Sequence, residues 1–273
     1  MVATPIGNLG DITSRAIATL AGVDLVACED TRMTGKLLSL LGLRAALTPY
    51  HEHNAERARP AILAKLRGGA SVALVSDAGT PLLSDPGYRL VRECLAEGIA
   101  VTSVPGASAL LPALQMSGLP CDRFLFAGFL PAKTVARKKI LAELKSVPAT
   151  LVFYESTQRL AASLSDMAEV LGVRDAAVAR ELTKLHEEIR RGTLAELTAH
   201  YESAGPPKGE ATVVVGPPGE APPPDAGDVD RLLTEALTTL SVREAAAQVA
   251  AATGLPRRPL YARAVELSQG RRQ

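Results

Sequence analysis

Over the first 216 residues, short apolar runs rich in β-branched residues alternate with amphipathic helical stretches, and no other feature restricts the fold as strongly. Strands separated by helices pair side by side through crossovers, which gives α/β layers. Strands are predicted over 24–28, 45–50, 71–75 and 100–104, with helices over 11–21, 31–41, 54–67, 87–97 and 107–117. Residues 1–3 read as the end of a strand, hence as a clipped start. Helical periodicity breaks at Gly118-Leu119-Pro120, and a second series follows. Its strands are predicted over 123–127, 149–154, 176–180 and 211–216, its helices over 134–145, 158–171 and 194–203. The expected organisation is two α/β domains, 1–118 and 119–216, facing one another across a cleft. Ligands commonly bind in such clefts.

The alternation ends at a proline-rich linker, 217–227, too stiff and too poor in N–H donors to join a sheet or a helix interior. Residues 228–273 form a small helical domain. Ser241 with Glu244 three residues on reads as a capping box for a helix over 242–253. Gly254 and Pro256 stop that helix. A last helix over 259–269 places Leu260, Ala264 and Leu267 on one face, so the tail resembles a helix-turn-helix.

Composition excludes several classes. Hydrophobic residues at 47% and charged residues at 22% suit a packed globular chain. No apolar run reaches the length of a membrane span, and no secretory signal opens the chain. Cys28, Cys94 and Cys121 are far apart and lack metal-ligand spacing, so they read as buried, reduced thiols in a cytoplasmic protein without a structural metal. The net charge of +1 means that any nucleic-acid site must be a local basic patch.

Three strand-to-helix loops carry the chemistry. The first, Thr4-Pro5-Ile6-Gly7-Asn8-Leu9-Gly10, matches neither the dinucleotide fingerprint nor a P-loop, and by itself could be an ordinary turn. The segment from Val75 to Gly87 is longer than most βα connections and combines Asp77 and Asp85 with hydroxyls and turn formers. Ligand-lining loops at strand ends have this character. A cap on the next helix, with Asp85 at N-cap and Pro86 at N1, is compatible with it. The third loop, Pro105-Gly106-Ala107-Ser108-Ala109, has the small residues that close approach to a flat ligand demands; tight helix–sheet packing would use them equally.

Nine motifs then occur in order across residues 2–210: VATPIGNLGDIT, EDTR, HEHN, VSDAGTPLLSDPG, PGASA, GFLPAK, FYES, ARELTK and KGE. Together they resemble the 16S rRNA cytidine 2′-O-methyltransferases, a branch of the tetrapyrrole-methylase superfamily. The resemblance implies a cleft for S-adenosylmethionine between the two α/β domains. It implies that Pro5, Gly7, Asp77, Gly79, Thr80, Pro81, Ser108 and Ala109 border the donor on one side. Tyr154, Glu155, Ala179 and Arg180 would do so on the other. Where tetrapyrrole-modifying members tend to have Gly-Asp-Pro, this chain has Gly79-Thr80-Pro81, which argues for RNA over a corrin or porphyrin.

The implied reaction is in-line methyl transfer to a ribose hydroxyl, a weak acid that a positioned base would help to deprotonate. Candidate bases or orienting groups are Glu29 and Asp30 of EDTR, His51 and His53 of HEHN, and Lys184; Asp30, His53 and Lys184 form the proposed catalytic set. Solvated histidines and a surface Asp–Arg pair are the plainer reading of the first two motifs. RNA contact is assigned to Lys133, Arg137, Lys138 and Lys139, and in the tail to Arg257, Arg258, Arg263, Arg271 and Arg272. The implied partner is 16S rRNA within the 30S subunit, and the implied assembly is a homodimer. A tetrapyrrole methyltransferase and a catalytically silent rRNA-binding assembly factor are the alternatives.

Overall fold

A computed structural model describes residues 1–219 and 226–270 and divides into two compact units, 1–218 and 219–273. Part of the proline-rich linker, 220–225, and the tail cations Arg271 and Arg272 lie outside the described residues.

The first half of the larger unit alternates as the sequence pattern requires. In chain order it contains α1 (Ser14–Gly22), β1 (Leu25–Cys28), α2 (Thr31–Leu40), β2 (Leu47–Pro49), α3 (Ala55–Arg67), β3 (Val72–Val75), α4 (Tyr88–Ala96) and α5 (Leu110–Ser117). The sheet is parallel, in the order β2-β1-β3. Its central strand, β1, is buried along its whole length, which explains an uninterrupted apolar run where a one-sided strand would alternate. Side chains start the helices at defined points. Thr13 accepts from the Ala16 amide to cap α1, and Asp30 accepts from the Arg32 amide to cap α2.

Two expectations for this half need correction. The segment 100–104 is not a strand; it contributes one parallel bridge, Val2 to Val104. Residues 1–4 run between β3 and Val104, with the Val2 amide donating to Leu74 O at 2.9 Å and the Val104 amide to Met1 O at 2.8 Å. A partner of so few residues cannot support a longer ladder. Asp85 and Pro86 do not cap α4 either: Gly87 occupies the N-cap at φ 138°, and the helix begins at Tyr88. A Cβ at Gly87 would come within 2.6 Å of Leu74, so the chain turns there on a residue without one.

The second half contains β4 (Phe124–Phe129), α6 (Thr134–Leu144), β5 (Thr150–Ser156), α7 (Leu160–Leu171), β6 (Asp175–Arg180), β7 (Glu188–Thr193), α8 (Leu194–Ala204) and β8 (Glu210–Val215). The sheet order is β4-β5-β8-β6-β7, with β4 and β5 parallel and the remaining pairs antiparallel. Sequence patterning misses β7 because it is an edge strand of mixed exposure reading Glu-Ile-Arg-Arg-Gly-Thr, without an apolar run. One face of the sheet buries Phe153, Leu160, Leu164 and Met167. On the other face, Leu110, Ala113 and Leu114 of α5 pack against Val152, Ala179 and Val214. The last helix of the first half is thereby fixed to the second sheet, which orients the two halves. Cys28 and Cys94 are buried as expected, but Cys121, in the turn leading to β4, is exposed.

In the smaller unit, α9 (Ala226–Ala236), α10 (Val242–Thr253) and α11 (Arg257–Gly270) bury Leu233, Ala245, Ala246, Val249, Leu260 and Ala264 against one another. The Ser241–Glu244 capping box is formed, and Gly254 ends α10 in the left-handed conformation. The helix α9 lies in a stretch for which no helix limits were predicted.

Candidate active site

A cavity of about 440 Å³ opens between the two sheets of the larger unit. Its walls come from the loop after β3, the carboxyl ends of β4, β5 and β6, and the start of β8. Because β8 is antiparallel to β5 and β6, Thr212 sits opposite both Tyr154 and Ala179, at the same end of the sheet. Ligands of α/β proteins collect at this end because the loops that leave it can differ without disturbing the strands.

The three glycine-bearing loops of the first half are bound to one another. The Thr4 amide donates to Gly79 O at 2.9 Å, and the Gly79 amide returns a bond to Thr4 O at 3.0 Å. The Thr4 hydroxyl reaches Ser76 O, and the Thr80 hydroxyl reaches Ala107 O at 3.1 Å. Leu82 and Ser84 hold positive φ angles of 74° and 67° without being glycine. Such strain persists only where surroundings enforce it and is concentrated at functional sites. A bulge in β4 at Phe126/Gly128 brings that strand to the loop; a Cβ on Gly128 would lie 3.2 Å from the Ser84 hydroxyl oxygen.

Charge in the cavity is one-sided. Asp77, Asp85, Glu155, Glu181 and Glu210 line it, and among the described residues no lysine, arginine or histidine does. Glu155 is bound by Arg159 at 2.7 Å and by the Ser163 hydroxyl at 2.6 Å. Lys184 reaches from outside to Glu181 at 2.9 Å and Glu210 at 3.0 Å; its hydrogen bond is the main reason the Glu181 carboxyl lies below its usual range. Asp77 accepts from the Asp30 amide at 3.0 Å. Burial pushes the Asp85 carboxyl up to about 6, opposed by a hydrogen bond from Ser76 and reinforced by the charges of Glu29 and Asp77. Burial also pushes the Tyr154 hydroxyl up, against a hydrogen bond with Ser108, so the phenol stays neutral at physiological pH. Aromatic surface completes the wall. Tyr154 packs on Phe126 and Phe129 at ring separations of 4.8 and 5.6 Å, and Phe129 is 56% exposed.

Of the donor-contacting residues expected from sequence, Asp77, Gly79, Thr80, Ala109, Tyr154, Glu155 and Ala179 line this cavity. Pro5, Gly7, Pro81, Ser108 and Arg180 do not. Arg180 is engaged by its bonds to Lys208 O and Glu188, and Pro81 is buried. Ser108 accepts from the Leu110 amide at the start of α5, and Gly7 gives the Lys184 stem room to pass.

Asp30, His53 and Lys184 also lie outside the lining. Arg32 holds the Asp30 carboxyl at about 2, too low for a base at neutral pH. His53 is exposed beside His51. Sequence reasoning placed Asp85 in a ligand-lining loop without naming it among the donor contacts, and assigned no cavity role to Glu181, Glu210 or Phe129. Glu181 and Glu210 belong to ARELTK and KGE, whose glycine was the available signal: at Gly209, φ 94°, a Cβ would overlap the Glu181 carboxylate.

The RNA-facing assignment needs one correction. Arg137 is 2% exposed, with Nε 2.6 Å from Asp166 and further bonds to Pro131 O and Ala132 O, so it cannot meet a phosphate. Lys138 is paired with Glu169 at 2.6 Å, whereas Lys133 and Lys139 are exposed. In the smaller unit Arg263 is paired with Asp230 and Glu266; Arg257 and Arg258 are exposed, Arg257 donating to Arg243 O.

Two sheets with a shared cavity at their strand ends define an α/β enzyme class, and residues 1–198 match the family described as Tetrapyrrole (Corrin/Porphyrin) Methylases. Solved structures show the same fold. A uroporphyrin-III-C-methyltransferase from Thermus thermophilus superposes with a TM-score of 0.57 at 23% identity, covering 79% of this chain and 92% of the other. A diphthine synthase gives a TM-score of 0.60 at 15% identity, covering 79% and 89%. Residues 223–268 match the RsmI C-terminal HTH domain.

Relatives named ribosomal RNA small subunit methyltransferase I align along nearly the whole chain. The Mesorhizobium japonicum protein is 56% identical over 98% of this chain and 91% of its own length. The Erythrobacter litoralis protein is 58% identical over 98% and 94%, and the Escherichia coli O157:H7 protein 46% over 97% and 94%. The chain belongs to the ribosomal RNA small subunit methyltransferase I family.

Proposed function

We propose that this enzyme transfers a methyl group from S-adenosylmethionine to the 2′-hydroxyl of a cytidine ribose in 16S rRNA. In this reading it works on the 30S subunit as a cytoplasmic homodimer. The observation that carries the proposal is a cavity lined, among the described residues, by five carboxylates and no cation, in a chain 56% identical over 98% of its length to a protein named ribosomal RNA small subunit methyltransferase I.

The residues fit the donor. Its volume of about 440 Å³ is in the range of small-molecule sites, roughly 300–1,000 Å³. Ile6, Leu182, Ala109 and Ala179 offer apolar surface for a purine, and the carboxylates suit a ligand bearing a sulfonium and an ammonium. When bound, the donor supplies an electrophilic methyl group. In this reading Asp77 and Glu210 hold its polar groups, while exposed Phe129 presents a ring on which the acceptor base stacks. Lys133, Lys139, Arg257 and Arg258 contribute phosphate contacts. No helix among the described residues is long and apolar enough to cross a membrane.

Incubating the protein with methyl-labelled S-adenosylmethionine and 30S subunits from a strain lacking the endogenous enzyme tests the proposal. Mass spectrometry of digested rRNA should find label on a cytidine ribose. Label appearing only on a corrin or porphyrin precursor, or binding to 30S without label, would overturn it. Light scattering checks the dimer, with a mass of one chain as the opposing result.

A further inference from the structure

A ribose hydroxyl gives up its proton reluctantly, and the cavity offers five carboxylates that could receive it. A general base needs a free lone pair, access to the reacting atoms and a protonation equilibrium near working pH. Glu155, Glu181 and Glu210 each bind an arginine or lysine, and Asp77 is held by a backbone amide. Among the described residues, Asp85 alone of the five has neither kind of partner; only the Ser76 hydroxyl meets it. Among the described residues, no histidine, lysine or cysteine lines the cavity to compete for the role.

Resting on the function proposed above, we infer that Asp85 is the general base of the methyl transfer. As the O2′–CH3 bond forms and the donor's S–CH3 bond breaks, the O2′ proton passes to the Asp85 carboxylate. The sulfur keeps the bonding electron pair and leaves as a neutral thioether. Position supports the role as well as chemistry. Asp85 follows Ser84, whose positive φ turns the loop into the cavity, and Ser84 lies against the β4 bulge, one residue from Phe129. The base is therefore close to the ring on which the acceptor nucleoside would stack.

The groups acting on Asp85 from the surrounding elements are Ser76 and Asp77 of its own loop, Glu29 after β1 and Tyr154 of β5. Burial, reinforced by the two acidic groups and offset by no cation, holds the carboxyl near 6, so it regains its charge just below neutrality.

Single-turnover methylation of 30S by preformed enzyme and S-adenosylmethionine tests the assignment. The wild type should lose rate below about pH 6 along a single-proton limb. Asp85→Asn should be slower by about 10²–10⁴-fold, the usual contribution of a general base, and should lack that limb. Its affinity for S-adenosylmethionine by calorimetry should stay within about twofold. Asp85→Ala should regain rate when formate is added, a result that loss of packing would not give. Undiminished turnover in Asp85→Asn, persistence of the acid limb, or loss of rate matched by loss of donor affinity would overturn the inference. If the wild type itself fails to methylate 30S, the functional reading falls first and takes Asp85 with it; an active wild type with an equally active variant removes Asp85 alone.

Discussion

Asp85 illustrates how a site can hold a group in a state that costs stability. Its carboxyl is charged at pH 7 in a half-buried place among other carboxylates. The folded state therefore binds this proton more tightly than the unfolded chain does, and stability contributed at low pH is lost as pH rises from about 4 to about 6. One pKa unit corresponds to about 1.4 kcal/mol, and solvent screening at a half-exposed group reduces the net effect to about 1 kcal/mol. Asp85→Asn should thus melt about 2–4 °C higher than wild type at pH 8, with the difference vanishing below pH 4. Calorimetric melts across that range check the sign; a variant less stable at pH 8 would show that the carboxylate has a cationic partner. Gly209→Ala works in the opposite direction. A Cβ there overlaps the Glu181 carboxylate at a φ of 94°, so both melting temperature and donor affinity should fall.

At the scale of elements, α6 shows why a run of cations is a poor guide to an RNA face. Lys138 and Lys139 follow Arg137 directly, yet the helix turns Arg137 inward onto Asp166 of α7 while Lys139 faces solvent. Removing one member of a buried pair strands the other charge and costs about 3–5 kcal/mol. Arg137→Ala should therefore lower the melting temperature by about 10 °C. Lys139→Glu should leave the melt unchanged and weaken 30S binding. Titrations at several salt concentrations distinguish the two; equal effects of both variants on RNA affinity at constant stability would contradict the burial of Arg137. The loop from Ser76 to Gly87 behaves as an element in its own right, fixed to Thr4 and Ala107 by hydrogen bonds at 2.9–3.1 Å.

For the molecule as a whole, the cavity and a separate helical core belong to two different compact units. The larger unit contains every residue of the cavity wall, and the smaller is a three-helix assembly with its own apolar core. Charge reversal in the smaller unit, Arg257→Glu with Arg258→Glu, should spare donor affinity and reduce 30S affinity. Losing two phosphate contacts should flatten the dependence of log K on log salt by about 1.5–2. An unchanged slope would remove these arginines from the RNA face.

Local patterns carried most of the secondary structure and the three cavity loops, because strand and helix periodicity, capping residues and turn formers act over a few residues. Ser241 with Glu244, Gly254 and the unbroken apolar run of β1 are cases in which neighbours in the chain suffice. Long-range pairing decided what those loops and charges do. Arg137 lost its surface role to a carboxylate 29 positions away, and Asp77 is held by an amide 47 positions away. Asp85 meets the Ser76 hydroxyl and the charge of Asp77 from its own loop and the charge of Glu29 from a distant segment, and among the described residues no cation acts on it. Whether a charged side chain is paired, buried or free depends on which distant segments fold against it, and no spacing along the chain encodes that.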